Sequence, residues 1–159
     1  MKALRRRGMI GGLLPATTVA LVGPAQAASD PDTSDLASDK PFIEHRLLLQ
    51  LSDREFPKHA LMLSVAYNML KTFGPDTIAI DVVAFGPGID LLLQASPNRQ
   101  LVDSLVAQDV RFDICMNTVN TVERDTGQKL LLNPNAHPVE AGVARMLFLV
   151  ERGYTVVRP

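Results

Sequence analysis

Short apolar runs mark the strands of this chain. Leu47–Leu51 and Ile78–Phe85 are short, mostly apolar segments that end at polar or glycine-rich residues, as buried strands do. Residues 110–114 alternate apolar and charged side chains and predict a third strand, and residues 154–157 predict a last one.

Between these runs, apolar residues recur at three- and four-residue steps, which is the spacing of an amphipathic helix. The first predicted helix begins near Pro57 and stops at Gly74-Pro75. Its apolar stripe consists of Met62, Val65, Ala66, Met69, Leu70 and Phe73. Residues 101–106 predict a second helix, and a third is expected to open at Pro138 and close at Gly153.

The alternation of strand and helix predicts an α/β fold with three layers. A mostly parallel sheet carries helices on both faces, as in flavodoxin-like proteins, because right-handed crossovers place them there. Ligands and reactive groups collect beyond the carboxyl ends of such strands. The segments expected at that edge are Ser52-Asp53, Gly86-Pro87-Gly88 and Cys115-Met116-Asn117-Thr118.

The first 27 residues have the pattern of an export signal. Three arginines precede the uncharged run 8–22, and Ala25-Gln26-Ala27 provides the small residues that signal peptidase requires. The order Arg6-Arg7-Gly8-Met9-Ile10 also fits a twin-arginine signal, so both the Sec and the twin-arginine routes stay open. We expect a periplasmic protein with no membrane span after cleavage, because the apolar run is too short to cross a bilayer.

The rest of the chain divides into a linker and one domain. Residues 28–41 are mostly Asp, Ser, Ala and Pro and predict a flexible linker, whereas residues 42–159 suit one compact α/β domain. A formal net charge of -1 over the whole chain provides no basic field for nucleic acid. Six Phe, two Tyr and no Trp are too few for stacking platforms, so nucleic acid is not an expected partner.

Cys115 is the only cysteine and the strongest candidate for chemistry. It follows a predicted strand and precedes Asn117 and Thr118, which can cap a helix start, where amides and the helix dipole favour a thiolate. Arg111 in the same strand would lower the thiol pKa further, and Asp113 would oppose it. The alternative is a buried structural cysteine, because free cysteines are often packed in cores.

The remaining candidate groups give weaker signals. A Cys-His hydrolase would need His45, His59 or His137 beside the sulfur, but none has a recognisable family spacing, and we expect no metal site. Possible ligand or anion contacts are Ser52, Asp53, Gly86, Gly88, Asn117 and Thr118. The Gly86-Pro87-Gly88 turn is better interpreted as leading into a helical segment at residues 89–94.

Several of these segments together resemble the DsrE/DsrF-like family, particularly its small exported members. The resemblance covers most of residues 45–159. It rests on Leu47-Leu48-Leu49-Gln50-Leu51-Ser52-Asp53, the helix with Asn68, Val82-Val83-Ala84-Phe85-Gly86-Pro87-Gly88-Ile89, Val110-Arg111-Phe112-Asp113-Ile114-Cys115-Met116-Asn117-Thr118, Gly142-Val143-Ala144-Arg145 and Gly153-Tyr154.

The resemblance implies a DsrE-like α/β fold, trimers or hexamers and, in the sulfur-relay branch, a persulfide-carrying cysteine that only Cys115 can supply. It also implies donor and acceptor proteins for the sulfur. The leading hypothesis is therefore a sulfur carrier that needs no cofactor, with at most a sulfurtransferase activity. The competing hypothesis is a non-catalytic oligomeric module that binds a small ligand or a protein. In that module Cys115 is a structural residue packed in the core.

Overall fold

The structure is a computed structural model that describes residues 42–159. The predicted signal (1–27) and linker (28–41) lie outside the described residues. The elements are, in chain order, β1 (His45–Leu51), α1 (Phe56–Phe73), β2 (Ile78–Ala84), a 3-10 helix (Gly86–Leu92), α2 (Arg99–Val106), β3 (Arg111–Cys115), α3 (Met116–Thr126), β4 (His137–Val139), α4 (Gly142–Glu151) and β5 (Thr155–Val157).

The strands of this region form one sheet in the order β4-β3-β2-β1-β5, and every neighbouring pair is parallel. Helices cover both faces, so the predicted three-layer α/β fold is confirmed. Leu51 lies opposite Ala84, and Ala84 lies opposite Ile114. The carboxyl ends of the three central strands therefore meet at one edge.

Alternate side chains of each strand point to opposite faces of the sheet. On the α1 face, strand residues such as Leu49, Val82 and Phe112 pack with α1, α2, α3 and the 3-10 helix. On the α4 face, Leu48 and Val83 pack mainly against α4. Each fully buried aliphatic side chain contributes about 1.5 to 3 kcal/mol, so both faces stabilise the sheet.

The first predicted helix is confirmed as α1. Pro57 lies in its first turn, and Gly74, at φ 85°, ends it with a backbone conformation that other residues rarely adopt. The residues that α1 buries are His59, Met62, Leu63, Ala66 and Leu70. The predicted stripe is shifted slightly, because Val65 and Met69 are only half-buried and Phe73 is 37% exposed.

The prediction that Pro138 opens the last helix is wrong. Pro138 is the middle residue of β4, an edge strand, where a residue without an N–H group is tolerated. The helix α4 begins four residues later, at Gly142. The helical segment expected at residues 89–94 is a 3-10 helix that starts and ends earlier, at Gly86–Leu92.

Within residues 42–159, none of the helices combines the length and the apolar character that crossing a membrane would require.

Candidate functional site

The candidate residues gather where β1, β2 and β3 end. Because these strands are parallel and in register, Ser52, Gly86 and Cys115 all lie just beyond or at the same edge of the sheet. This is the edge at which open α/β sheets bind ligands. The structure therefore brings the three predicted segments to one side of the protein.

Cys115 is the last residue of β3 and also the N-cap of α3. Cys115 is only 6% exposed. Its Sγ–H group donates a long hydrogen bond to the Glu140 carbonyl, with 4.0 Å between the sulfur and the oxygen. Asn117 and Thr118 were expected to cap this helix. They lie instead in its first turn, and no side chain makes a capping hydrogen bond.

The surroundings of the sulfur favour its ionised form. Burial raises the pKa of the Cys115 thiol, but hydrogen bonds from the Thr118 hydroxyl and from the backbone N–H groups of Gly142, Thr118 and Asn117 lower it. The hydrogen bonds outweigh burial, and the pKa lies below its ordinary value. The Asn117 N–H contributes least, and it also donates to the Glu140 carbonyl at 3.1 Å.

Thr118 connects the sulfur to the start of the 3-10 helix that follows β2. Its hydroxyl oxygen accepts a hydrogen bond from Gly86 N–H at 3.1 Å, while the hydroxyl interacts with Cys115. A hydroxyl has one hydrogen to donate and two lone pairs, so it can serve both partners at once. Gly86 has φ 52°, a conformation that suits glycine.

A cavity of about 520 Å³ opens beside this link, at the carboxyl edge of the sheet. Its walls come from the loop after β1, the 3-10 helix, α3 and the segment after α3. The residues that line it are Arg54, Gly86, Pro87, Ile89, Asp90, Asn117, Thr118, Thr121, Val122 and Leu130. Arg54 pairs with Asp90 at 2.9 Å, so these two charges at the cavity neutralise each other.

Three of the predicted contacts do not line this cavity. The Asp53 carboxylate pairs with Arg158 at 3.1 Å, and its carbonyl accepts a hydrogen bond from His59 Nε2 at 2.8 Å. Gly88 packs so closely on β1 that an added Cβ would lie 2.5 Å from the Leu51 carbonyl oxygen. Ser52 is half-buried at the end of β1. These residues therefore shape the edge of the sheet rather than the cavity.

Known structures with the same architecture exist. A protein of unknown function from Methanobacterium thermoautotrophicum matches at 25% sequence identity and a TM-score of 0.63, covering 73% of this chain and all of that one. The ychN protein from E. coli matches at 11% identity and a TM-score of 0.58, covering 72% of this chain and 99% of that one. The fold is YchN-like. The chain matches no protein-family profile and no curated protein.

Arg111 and Asp113 do not act on the thiol in the way the sequence suggested. Arg111 Nε lies 2.7 Å from Asp113 Oδ1, so the two side chains expected to shift the thiol pKa form an ion pair with each other. Neither is among the groups that set the Cys115 pKa. Both belong to a buried ion-pair network that also includes Asp81 on β2 and Arg145 on α4.

The sequence reasoning missed the contribution of α4 to this site. The Gly142 N–H group at the start of α4 hydrogen-bonds the sulfur, and the carbonyl of Glu140, just before α4, accepts a hydrogen bond from the Cys115 thiol. A signal for the ion pairs was present: Arg145 stands three and four residues before the apolar Phe148 and Leu149, and Asp81 interrupts an otherwise apolar strand. A charge on a buried face needs a partner of opposite sign.

The histidines lie in other surroundings. His59 bonds the Asp53 carbonyl, His45 packs on the Phe73 ring at 4.2 Å, and His137 stands on β4 opposite Asp113. No imidazole is among the groups that hydrogen-bond the sulfur, so the arrangement gives no support to a Cys-His hydrolase. Across residues 42–159, no three His, Cys, Asp or Glu side chains cluster as metal ligands would.

Proposed function

We propose that this protein is a sulfur carrier in which Cys115 holds sulfur as a persulfide. One observation carries the proposal: the thiol stands at the start of α3, where hydrogen bonds from Thr118 and from backbone amides lower its pKa. The thiolate is the nucleophilic form of cysteine. The YchN-like fold agrees with the resemblance of the sequence to the DsrE/DsrF-like family.

The transfer is a pair of displacements at sulfur without net oxidation. The Cys115 thiolate attacks the outer sulfur of a donor persulfide, a new S–S bond forms, and the donor thiolate leaves with the electron pair of the broken bond. An acceptor thiolate then attacks the outer sulfur of the Cys115 persulfide. The Cys115 thiolate leaves in turn, and the protein returns to its starting state.

The groups around the sulfur would assist both displacements. The Thr118 hydroxyl and the Gly142 N–H stabilise negative charge on the Cys115 sulfur before the first attack and as it leaves in the second. Thr118, which hydrogen-bonds the sulfur, also lines the cavity of about 520 Å³, and we propose that part of the donor occupies this cavity. We further propose export to the periplasm, assembly into trimers or hexamers, and dedicated donor and acceptor proteins.

Intact mass spectrometry tests the carrier role. The chain from residue 28 onward is incubated with polysulfide, or with thiosulfate and a sulfurtransferase, and its mass is measured before and after reduction. We expect a gain of one sulfur atom that a reductant removes, and no gain in Cys115→Ser. The absence of a gain in the native protein, or an equal gain in the serine variant, contradicts the proposal.

A second function is a non-catalytic module that binds a small ligand. The observation in its favour is that Cys115 is 6% exposed and does not line the neighbouring cavity. Thiol reactivity under native conditions separates the two functions. A carrier thiol reacts quickly with a charged alkylating reagent near neutral pH, whereas a packed structural thiol resists it until the protein unfolds.

A further inference from the structure

A buried cluster of four charged side chains joins α4 to β2 and β3 beneath the candidate site. Arg145 is 2% exposed, and Asp81 and Asp113 are fully buried. Arg145 Nε lies 2.7 Å from Asp113 Oδ2, and its Nη2 lies 3.2 Å from Asp81 Oδ1. Arg111 pairs with the other oxygen of Asp113 at 2.7 Å, so two positive charges balance two negative ones.

The same helix brings a hydrogen-bond donor to the sulfur. Gly142, the first residue of α4, lies one helical turn before Arg145 and supplies an N–H group to Cys115. The approach is very close, because a Cβ at Gly142 would lie 3.3 Å from the Cys115 Cβ and 3.2 Å from the Phe85 Cβ. No side chain caps this end of the helix, so its position depends on packing and on the ion pairs.

We propose that Arg145 is a positioning residue for Cys115: its ion pairs with Asp113 and Asp81 hold the first turn of α4 against β3, with the Gly142 N–H facing the sulfur. One guanidinium can do this because its separate N–H groups reach carboxylates on two strands at the same time. The inference deepens the proposed function and rests on it, since sulfur transfer requires the thiolate that this N–H group favours.

A merely structural role predicts something different. If Arg145 only stabilises the sheet, its loss lowers the stability of the protein and leaves the titration of the thiol as it is. Removal of one partner from a buried ion pair is strongly destabilising, so stability alone does not distinguish the two roles. The decisive quantity is the pH midpoint of thiolate formation in the folded protein.

The experiment follows the ultraviolet absorbance of the thiolate against pH, with Cys115→Ser as the baseline. In Arg145→Gln we expect the midpoint to move to higher pH, with an about three- to tenfold smaller thiolate fraction below it. Gly142→Ala should shift the midpoint in the same direction, because its methyl group pushes the helix away from the sulfur. Circular dichroism verifies that each variant is folded.

The matched control is Arg152→Gln, at the other end of α4. Arg152 stacks on the Phe148 ring at 3.3 Å and donates to the Phe148 carbonyl, so its loss removes the same charge without touching the first turn. Its midpoint should equal that of the native protein. A shift as large as that of Arg145→Gln would overturn the proposal, because a general loss of positive charge would then explain both.

Arg145→Lys covers the case in which Arg145→Gln does not fold. A lysine keeps the charge but presents a single ammonium group, which cannot reproduce the fork of the guanidinium, so we expect an upward shift of the midpoint. A native midpoint in a folded Arg145→Gln, or in Arg145→Lys when that is the variant that folds, overturns the proposal. The titration is independent of sulfur uptake. A shifted midpoint in the Arg145 variant, together with no sulfur gain in the native protein, refutes the carrier function alone. Sulfur gain in the native protein, together with a native midpoint in the variant, refutes the positioning role alone.

Discussion

Replacement of Thr118 by valine tests the geometry around the sulfur most directly. Valine has nearly the shape of threonine but no hydroxyl, so the change removes two interactions with little change in packing. One is the hydrogen bond to the Cys115 sulfur, and the other is the acceptor that Gly86 N–H reaches at 3.1 Å.

The magnitudes follow from these two losses. A hydrogen bond to a charged group contributes about 1.5 to 3 kcal/mol, and 1.4 kcal/mol corresponds to a factor of about ten in a protonation equilibrium. We therefore expect Thr118→Val to reduce the thiolate fraction at a pH below the midpoint by about tenfold or more. The partly buried Gly86 N–H loses its partner, which should reduce the free energy of unfolding by about 1 to 2 kcal/mol.

Two assays measure these effects separately. Alkylation by iodoacetamide across a pH series gives the reactivity of the thiol, and urea denaturation gives the free energy of unfolding. Thr121→Val is the matched control, because the Thr121 hydroxyl bonds the Asn117 carbonyl at 2.9 Å, one turn further along α3. Thr118→Ser should restore most of the reactivity. Native pH dependence in Thr118→Val would refute the reasoning, since the hydroxyl would then not stabilise the thiolate.

Three further predictions concern stability, each measured by urea denaturation. Gly88→Ala should cost about 1 to 3 kcal/mol, because its Cβ would meet the Leu51 carbonyl oxygen at 2.5 Å; native stability would contradict this packing. Burial and the nearby Asp113 raise the pKa of Asp81 from 3.8 to about 6. Between these two pH values the Asp81 carboxyl keeps its proton in the folded state and loses it in the unfolded chain. The native protein should therefore lose stability relative to Asp81→Asn as pH rises from about 4 to about 6, and the opposite slope would refute the assignment. Asp103→Ala should cost about 1 to 2 kcal/mol, because two asparagine side chains donate to its carboxylate at 2.9 Å; hydrogen bonds from them lower the Asp103 pKa, so the difference from the native protein should shrink in acid rather than grow.

The local pattern determined most of the layer architecture. Apart from Asp81, the run of β2 is apolar, and the strand is buried along its whole length, as expected of a central parallel strand with both faces covered. The start of α4 escaped prediction because Pro138 fits a first helical turn and an edge strand equally well. The choice between them depends on whether β3 offers a free edge, which is a property of the assembled sheet.

The site was predictable only in part, for a similar reason. Strand ends in a parallel sheet meet at one edge, so the sequence placed Cys115 and Gly86 on the same side of the protein. The contribution of Gly142 depends on how closely α4 approaches the end of β3. That distance is set by contacts between residues about thirty positions apart, which local periodicity does not encode.

The buried charges explain why α4 approaches so closely. Asp113 and Cys115 are two residues apart on β3 and therefore point to the same face of the sheet, toward α4. Arg145 and Gly142 are one turn apart on α4 and meet these two residues in antiparallel order: Gly142, at the start of the helix, lies on Cys115 at the end of the strand, and Arg145 lies on Asp113. An apolar pair in place of the ion pair would often stabilise a core equally well, so stability alone does not account for charges at these positions. Directional bonds at 2.7 Å fix the register of helix against strand, which apolar contacts do less strictly, and the register decides whether an N–H group faces the sulfur.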